Sequence, residues 1–553
     1  MLAGRGIALD DASRHLNPTI RELMPATLGL RDLDRGAERL AAAIRAGEHI
    51  GLIGDYDVDG ISSVALVIRF LKAAGSGADV HIPDRIAEGY GPSRLAVESL
   101  RAKGVSLLVT LDCGVMAHDP LLLAGELGMD TLIVDHHQAS SELPRADAII
   151  NPNRQDDVSG LGYLSAVGVA FALVAATNRL LRVGGWYGEA RPEPDLIGLL
   201  DLVALGSVCD VVPLVGLNRA YVTQGLKVMR GRDRVGLAAL ADASRLKRAP
   251  DAHALGYLLG PRLNAAGRIG HAMRALELLL AEDRGTAMTI AMELEKLNRE
   301  RQEIELRIID QAVRQAEAAA GQEGLATALV VAGEGWHPGV LGLVAARLKE
   351  RFHLPSIALA FAKGRDVASG SGRSIAGVDL GAAIRAAMEA GIIERGGGHA
   401  MAAGLSVQRH RLGALRAFLE EQLGDQVRAA RRDISVSIDG ALSARAATLP
   451  LVELLERAGP FGTGNPSPIF AFPAHRIDYA DGAGADNVRC SLVSDDGARL
   501  KAIAFRALTA PLGERLLSER RQPLHVAGRL CIDDYNGARQ VQLMIEDAAE
   551  VPQ

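Results

Sequence analysis

The sequence is poor in the residues that mark several common classes of protein. Aromatic residues make up only 3% of its 553 residues, so a nucleic-acid site built mainly from stacking rings is not expected. The four cysteines have no paired spacing, which argues against a disulfide framework or a zinc cluster. No run of about 18 apolar residues predicts a membrane span, and the first residues lack a signal-peptide pattern. We therefore expect a cytoplasmic protein without a membrane partner.

The chain also lacks the positive charge that is typical of proteins that coat nucleic acids. Its formal net charge is −6. Basic residues are nevertheless concentrated between residues 227 and 274, where ten lysines and arginines stand against three acids. This segment predicts either a solvated basic surface or a local anion-binding region. A nuclease stays open as a function, because metal-binding carboxylates would add negative charge.

The chain is long enough for about three domains. In the first third, short apolar runs alternate with helical patterns, which predicts βαβ units and a parallel sheet. The predicted strands are 48–54, 78–83, 105–112 and 129–135. Asp55, Asp112 and Asp135 stand at the ends of three of these strands. Because ligands bind beyond the carboxyl ends of strands in open α/β sheets, we expect these acids to converge at one edge.

The remainder of the chain predicts a long helix, a second α/β block and a small barrel. Apolar runs at 326–332 and 355–361 begin the second block, and short β-like runs from 434 onward suit an OB-fold. Those runs are 434–439, 488–493, 500–505, 523–528 and 539–545. The predicted parts are an N-terminal segment (1–45), a parallel-sheet α/β domain (46–282), a connecting helix (283–320), a second α/β domain (321–430) and the barrel (431–553).

The first motif with chemical potential is Gly-Asp-Tyr-Asp-Val-Asp-Gly at 54–60. Its aspartates, Asp55, Asp57 and Asp59, alternate where a strand gives way to a helix, and they can present oxygens to a hard cation. Taken alone the motif is weak, because aspartate and glycine favour turns in any case. It is also no EF-hand loop, since no glutamate follows at the required spacing.

Three further motifs supply acids and histidines. Asp112 ends the third predicted strand, where a lone aspartate is more often a helix cap. Asp135, His136 and His137 follow the fourth strand and predict either surface histidines in a loop or imidazole ligands oriented by a carboxylate. Asp210 ends an apolar helix or strand. Together these residues suit Mn²⁺ or Mg²⁺ better than structural zinc, and two such ions can serve phosphoester hydrolysis.

In this order the four motifs resemble those of the DHH phosphoesterase superfamily, which is named for its Asp-His-His. The resemblance implies that Asp55 and Asp135 support the site, and that His137 is a catalytic residue, either a ligand or a phosphate contact. The metal ligands and catalytic residues that it implies are Asp57, Asp59, Asp112, His136 and Asp210. It implies Mn²⁺ or Mg²⁺, with two ions, as the cofactor.

Two glycine-rich stretches in the second block extend this resemblance. The stretch 396–399 resembles the GGGH motif of the DHH-associated domain, which binds substrate opposite the metals, and its backbone N–H groups can face a phosphate. The stretch 369–374 includes Arg373, which suits a phosphate. His337 either contacts substrate or caps the helix that follows. The substrate-binding residues implied here are His337, Ser371, Arg373, Gly397, Gly398 and His399.

The segment 260–268 resembles one found in the single-stranded-DNA exonucleases of the superfamily. The resemblance implies that Arg262, Asn264 and Arg268 contact the DNA backbone. The segment 459–466 resembles the junction that leads into the OB-fold of the same enzymes. The implied function is 5′-to-3′ hydrolysis of single-stranded DNA in repair and recombination, with single-stranded DNA as substrate and single-strand-binding protein and helicases as partners.

Two other functions remain open from the sequence. One is a pyrophosphatase or a phosphodiesterase of short oligonucleotides or cyclic dinucleotides within the same superfamily. Such enzymes are usually shorter, need no barrel, and several carry a histidine where this chain has Ile53. The other is a non-catalytic single-strand-binding relative that has lost its metals. The intact acids argue against it, because clustered carboxylates repel one another unless a cation binds them.

Overall fold

The computed structural model describes residues 1–24, 28–323, 327–432, 435–484, 486–518, 522–533 and 538–551, with only the backbone for 319–323. Buried apolar side chains form cores on both faces of a first sheet, in a second domain and inside a barrel. The predicted fold class, α/β with a C-terminal β-barrel, is confirmed.

The first domain is built on a five-stranded parallel sheet with strand order β2-β1-β3-β4-β5. Its strands are β1 Ile50–Gly54, β2 Ala78–His81, β3 Leu107–Leu111, β4 Asp130–Val134 and β5 Ala148–Ile150. Every residue of β1 and β3 is buried, as expected for parallel strands covered on both faces. The strand order reverses between β1 and β3, which creates a crevice at their carboxyl ends.

Helices cover both faces of this sheet. They are α1 Leu9–Leu16, α2 Ile20–Leu23, α3 Leu33–Ala46, α4 Val58–Ala73, α5 Arg94–Ala102, α6 His118–Glu126, α7 Ala166–Val183, α8 Leu200–Cys209, α9 Gly216–Gly231, α10 Val235–Ala243, α11 Gly260–Ile269 and α12 Met273–Leu280, with a π-helical stretch Ala254–Leu259 before α11. By length and composition α7 alone among the described helices could cross a membrane, but 72% of it is buried inside the protein. The helix α3 packs in the same core as the sheet, so the end of the N-terminal segment belongs to the first domain.

A single helix, α13 Arg284–Glu323, joins the first domain to the second. At about 1.5 Å per residue its 40 residues span roughly 60 Å. Leu294 packs in the core of the first domain, whereas Ile308 and Ala312 pack in the core of the second. The helix therefore connects the two domains by taking part in both cores.

The second domain has a mixed five-stranded sheet with the order β6-β7-β8-β10-β9. Its elements are β6 Leu329–Glu334, α14 Leu341–Phe352, β7 Ser356–Phe361, β8 Val367–Arg373, α15 Leu380–Glu389, β9 Arg395–His399, β10 Ala402–Gln408 and α16 Leu412–Arg432. The two glycine-rich stretches of the second block lie in the strands β8 and β9. Close packing explains Gly396, because a Cβ there would lie 2.7 Å from Ile384 of α15.

The C-terminal domain is a barrel of the predicted kind. Its elements are β11 Gly440–Ala441, α17 Leu449–Glu456, β12 Phe470–Ala483, β13 Asn487–Val493, β14 Arg499–Ala504, α18 Pro511–Ser518, β15 Leu524–Asp533 and β16 Gln540–Glu550. Pairing of β12 with β15 closes it. Residues 435–439, predicted as a strand, form none. The long strand β12 was not predicted, because Pro473 and the positive φ of Ala474 interrupt its pattern.

Contacts of one buried and one partly buried arginine hold the barrel against the first domain. Arg219 of α9 donates to the carbonyls of Ala458 and Gly459 at 2.9 and 2.6 Å. Arg5 forms an ion pair with Asp439 at 2.6 Å. The junction around residues 459–466 thus has a structural role, since Arg219 also contacts Gly459 and Arg5 donates to the Pro466 carbonyl.

Candidate metal centre and substrate cleft

The candidate site lies at the crevice where the strand order reverses. Asp55 follows β1 and Asp112 follows β3, and the Asp55 N–H donates to the Leu111 carbonyl at 3.2 Å. His136 lies two residues beyond β4. The structure therefore brings these motifs to one edge of the sheet, as the sequence predicts.

Asp57 and Asp59 are positioned by the ends of two helices. Asp57 caps α4, since its Oδ1 accepts the N–H groups of Asp59 and Gly60 at 2.9 and 3.1 Å. Asp59 is buried in the first turn of α4, and its carboxylate accepts the N–H groups of Ala166 and Val167 at 2.7 and 3.0 Å. Carboxylate oxygens have further lone pairs, so both residues can still bind a cation.

Three ligand atoms are buried with no hydrogen-bond partner among the described residues: Asp55 Oδ1, Asp112 Oδ1 and His136 Nε2. His136 faces the Leu164 carbonyl through Nδ1 at 3.1 Å, so Nδ1 carries the proton and Nε2 presents a lone pair. Nε2 lies 3.3 Å from Asp112 Oδ1 and 3.5 Å from Asp210 Oδ2. Leaving such groups unpaired costs about 1–3 kcal/mol each, and a bound cation would remove that cost.

Ligand atoms from these residues form three sets, each within 4.8 Å. The sets are Asp112 with His136 and His137, Asp59 with His136 and Asp210, and Asp55 with Asp57 and Asp112. Because Asp112 and His136 each belong to two sets, the sets adjoin. Carboxylate oxygens with imidazole fit Mn²⁺ or Mg²⁺. Asp55, predicted only to support the site, lies among the candidate ligands, and Asp210 comes from the end of the helix α8, not from a strand.

Burial and mutual repulsion define the electrostatics of this cluster. Burial, with the charges of neighbouring aspartates, raises the pKa values of Asp55, Asp112 and Asp210 well above their ordinary range. For Asp59, burial and Asp57 raise the pKa to about 7. Burial, followed by the charge of His137, lowers the pKa of His136 to about 4, which keeps its imidazole neutral. Neutral imidazole and crowded carboxylates are the state that a divalent cation stabilises.

Asp135 holds the two histidines in place. It is fully buried and accepts hydrogen bonds from the N–H groups of Val115, His136 and His137 at 2.8–3.1 Å. It also pairs with Nδ1 of His137 at 2.8 Å. Burial alone would raise the pKa of Asp135, but His137 and these donors lower it to about 2. Asp135 is therefore a positioning residue.

The second domain presents its predicted residues on one face of a sheet edge. In the strand register His399 lies beside Ala402 and Arg373, and Gly397 lies beside Gly404 and Ser371. Paired residues and residues two apart share a face, so four of the predicted substrate-binding residues point the same way. They are Ser371, Arg373, Gly397 and His399.

Gly398 faces the opposite side of the same strand. Its φ is 146°, and a Cβ there would lie 2.3 Å from the Ala402 carbonyl oxygen. The structure thus gives Gly398 a packing reason for being glycine.

The two domains meet where Arg268 contacts Gly339. The Arg268 guanidinium donates to the Gly339 carbonyl at 3.1 Å, and a Cβ on Gly339 would lie 2.1 Å from the Arg268 carbonyl oxygen. Burial, with the neighbouring charges of Arg85, Arg301 and Arg373, lowers the pKa of Arg268 to about 9. Guanidinium groups crowded together in this way favour an anion such as phosphate.

The other three residues predicted to contact substrate, Arg262, His337 and Asn264, have different surroundings in the structure. The Arg262 guanidinium pairs with Glu295 of α13 at 2.6 Å and donates to the Leu258 carbonyl, so it ties α11 to the connecting helix. His337 caps the short helix after it, since its Nδ1 accepts the Gly339 N–H at 3.2 Å. Asn264 is partly exposed on α11.

Much of the basic segment lies away from the cleft. Arg230, Arg232, Lys247 and Arg248 line a cavity of about 320 Å³ together with Asp201. Asp201 belongs to the first turn of α8, whereas Asp210 of the metal cluster caps its last turn. The basic residues of segment 227–274 are therefore divided between that cavity and the cleft, where Arg268 lies.

Three family models match the chain. The DHH family N-terminal domain matches residues 49–207, the DHHA1 domain matches 323–425, and the RecJ OB domain matches 438–547. The single-stranded-DNA-specific exonuclease RecJ of Dickeya dadantii is 37% identical over 542 residues, which cover 96% of this chain and 93% of that protein. The Escherichia coli RecJ is 35% identical over a region that covers 99% of this chain and 94% of that protein. The chain belongs to the RecJ family.

Solved RecJ structures have the same fold. RecJ from Thermus thermophilus in complex with Mn²⁺ superposes with a TM-score of 0.79 at 27% identity, covering all of this chain and 75% of that one. The complex of the same protein with Mg²⁺ superposes with a TM-score of 0.73, and the match covers 74% of that chain. A further RecJ bound to manganese is 32% identical with a TM-score of 0.61, covering 74% of this chain and 99% of that one.

Sequence reasoning missed two residues that line the site in this RecJ-family chain. The Tyr90 hydroxyl donates to the Asp112 carbonyl and lies 3.0 Å from His137 Nδ1. Arg85 lies over the Tyr56 ring, 4.7 Å from its centroid, among the cleft arginines. Their position in the sequence indicates both residues, because residues 82–91 follow the carboxyl end of β2, which lies at the same edge of the sheet.

Asp135→Asn tests the positioning role. We expect Mn²⁺ affinity to fall about 10- to 100-fold, since the amide cannot accept every donor that now faces the carboxylate and His137 loses its partner. Isothermal titration of Mn²⁺ and thermal unfolding would be measured together. Asp147→Asn is the control, because Asp147 accepts the Thr131 N–H at 2.8 Å in the same domain. Equal losses of Mn²⁺ affinity in both variants would contradict the assignment.

Proposed function

We propose that this RecJ-family protein hydrolyses phosphodiester bonds of single-stranded DNA from the 5′ end, as a metal-dependent exonuclease. The observation that carries the proposal is a set of three buried ligand atoms at the edge of the first sheet, on Asp55, Asp112 and His136, which have no hydrogen-bond partner in the part of the chain that the structure describes. Acidic and imidazole ligands of this kind serve phosphoester hydrolysis. The similarity to curated RecJ exonucleases over nearly the full chain supports the substrate.

The ligands of two Mn²⁺ or Mg²⁺ ions are, in this proposal, Asp57, Asp59, Asp112, His136 and Asp210, with Asp55 and His137 beside them. Bound there, the ions would supply Lewis-acid chemistry, lowering the pKa of water and neutralising charge on the phosphate. The protein keeps His136 neutral by burial and orients it through the Leu164 carbonyl.

The second domain holds the strand against the metal centre. Arg373, supported by Ser371 Oγ at 2.9 Å, binds a phosphate together with Arg268, and His399 and the backbone at Gly397 contact the same strand. Arg262, Asn264 and His337 contribute through α11 and the domain junction. The domains meet at Arg268 and Gly339, which bounds the cleft on one side. In this proposal the cleft accepts a single strand and excludes a duplex.

The partners and location are part of the proposal. In this proposal, single-strand-binding protein and helicases deliver the substrate, and the protein acts in the cytoplasm. The family resemblance supports both statements. The superfamily alternatives, a short-oligonucleotide phosphodiesterase or a non-catalytic binding relative, fit less well, because the barrel extends the binding surface and the ligand set is intact.

Incubation of the protein with end-labelled single strands and Mn²⁺ tests this function. A 5′ label should appear at once as a mononucleotide, whereas a 3′ label should pass through progressively shorter strands. A chelator should stop both reactions, and a blunt duplex should resist. Binding without cleavage would favour the non-catalytic alternative. Cleavage confined to strands of a few nucleotides would favour the phosphodiesterase.

A further inference from the structure

An exposed aromatic pair stands on the π-helical stretch before α11. Tyr257 is 75% exposed, although aromatic residues form only 3% of the chain. Its ring stacks on His253, with centroids 4.8 Å apart and planes 25° apart. An exposed ring held by a second ring loses little further freedom when a flat ligand stacks on it.

The pair lies on an accessible stripe that continues along α11. His253, Tyr257, Pro261, Asn264 and Arg268 recur at helical spacing, and each is exposed or partly exposed. The residues between them on the opposite side are buried; a Cβ on Gly260, for example, would lie 2.5 Å from the sulfur of Cys209. The stripe is therefore the solvent-facing side of a helix whose other side packs on the end of α8.

This stripe ends at the cleft. Arg268 contacts Gly339 of the second domain and lies within electrostatic range of Asp57 and Arg373. Tyr257 is 11 residues earlier, which corresponds to about 16 Å along a helix. A strand that leaves the metal centre along α11 would therefore reach the ring after several nucleotides.

We propose that Tyr257, supported by His253, is a stacking platform for a base of the single strand on the 3′ side of the scissile phosphate. This inference rests on the proposed exonuclease function. The occupant is a nucleobase, because every base has a π-face and the stripe continues into a phosphate-binding cleft. The platform would hold the strand during successive cleavages without contacting the reacting phosphate.

Equilibrium binding with a chelator present tests the platform without turnover. Tyr257→Ala should weaken binding of a long single strand by about 5- to 150-fold, the range expected for one base–aromatic stack. Strands too short to span about 16 Å should bind all variants equally. Tyr257→Phe keeps the ring and should bind like the wild type. Tyr257→Leu keeps an apolar side chain without a π-face and should bind weakly, as the alanine variant does.

A 2-aminopurine base placed at successive positions of the strand gives a spectroscopic measure. We expect quenching at one position several nucleotides from the 5′ end in the wild type and in Tyr257→Phe, reduced in His253→Ala and lost in Tyr257→Ala. If Tyr257→Ala kept the affinity and the quenching of the wild type, while the wild type cleaved single strands, the stacking platform would be refuted and the exonuclease function would stand. Failure of the wild type to cleave would instead overturn the exonuclease function.

Discussion

Asp112→Asn is expected to lower the rate of single-strand hydrolysis by about three orders of magnitude or more. Asp112 Oδ1 lies 3.3 Å from His136 Nε2 and belongs to two of the three ligand sets. A metal ligand contributes several kcal/mol of charge stabilisation to the transition state. Each 1.36 kcal/mol that is lost lowers the rate about tenfold. Asparagine is the right replacement because the φ of Asp112 is 62°, a conformation that asparagine adopts more readily than alanine.

The metal-free Asp112→Asn protein should be at least as stable as the metal-free wild type. The substitution replaces a carboxyl group, whose charged form is disfavoured by burial and by the neighbouring aspartates, with a neutral amide, so it removes that cost in the absence of a cation. Thermal unfolding with and without Mn²⁺ would show this as a smaller metal-induced rise in melting temperature than in the wild type.

Asp32→Asn is a matched control for this experiment. Asp32 also has a positive φ, 60°, and pairs with Arg154 at 2.7 Å in the same domain, away from the ligand sets. Its substitution should leave turnover and Mn²⁺ affinity unchanged. A folded Asp112→Asn protein with near-normal turnover would refute the assigned metal centre.

Arg373→Ala is expected to reduce kcat/KM on a short single strand by about 100-fold or more, a size typical for the loss of one charged donor at a reacting phosphate. Arg373 shares a sheet face with His399 and is held by the Ser371 hydroxyl and the Gly372 carbonyl at 2.9 and 2.8 Å. Arg373→Lys should recover only part of the loss, because lysine lacks the planar pair of donors. Mn²⁺ affinity should be unchanged in both variants.

Arg351→Ala provides the control in the same domain. Arg351 lies in the last turn of α14 and pairs with Glu317 at 2.9 Å, whereas Gly342 at the start of α14 faces the Arg373 guanidinium. Its loss should leave steady-state kinetics unchanged. If Arg373→Ala and His399→Ala both cleaved a short strand at the wild-type rate, the second domain would not bind the substrate phosphate.

The strands of the first domain were predictable because their signal is local. The apolar runs that end in Asp55, Asp112 and Asp135 are buried on both faces, so hydrophobic runs located the strands to within two residues. The rule that ligands bind at the carboxyl edge then placed the acids together. The glycine-rich strands β8 and β9 were not predictable, since the reason for several of their glycines lies in tertiary packing: a Cβ on Gly370 would lie 2.4 Å from Leu359, and a Cβ on Gly372 would lie 2.7 Å from Leu380.

By itself, the sequence determined the fold class, the order of the elements and the chemical types of the candidate ligands, because periodicity and residue identity are local properties of the chain. Only the tertiary structure decided how each side chain is used. It turned Arg262 toward Glu295, placed Asp55 among the ligands and left Tyr257 exposed on a stripe leading to the cleft. These outcomes depend on contacts between residues far apart in the chain, which no local pattern encodes.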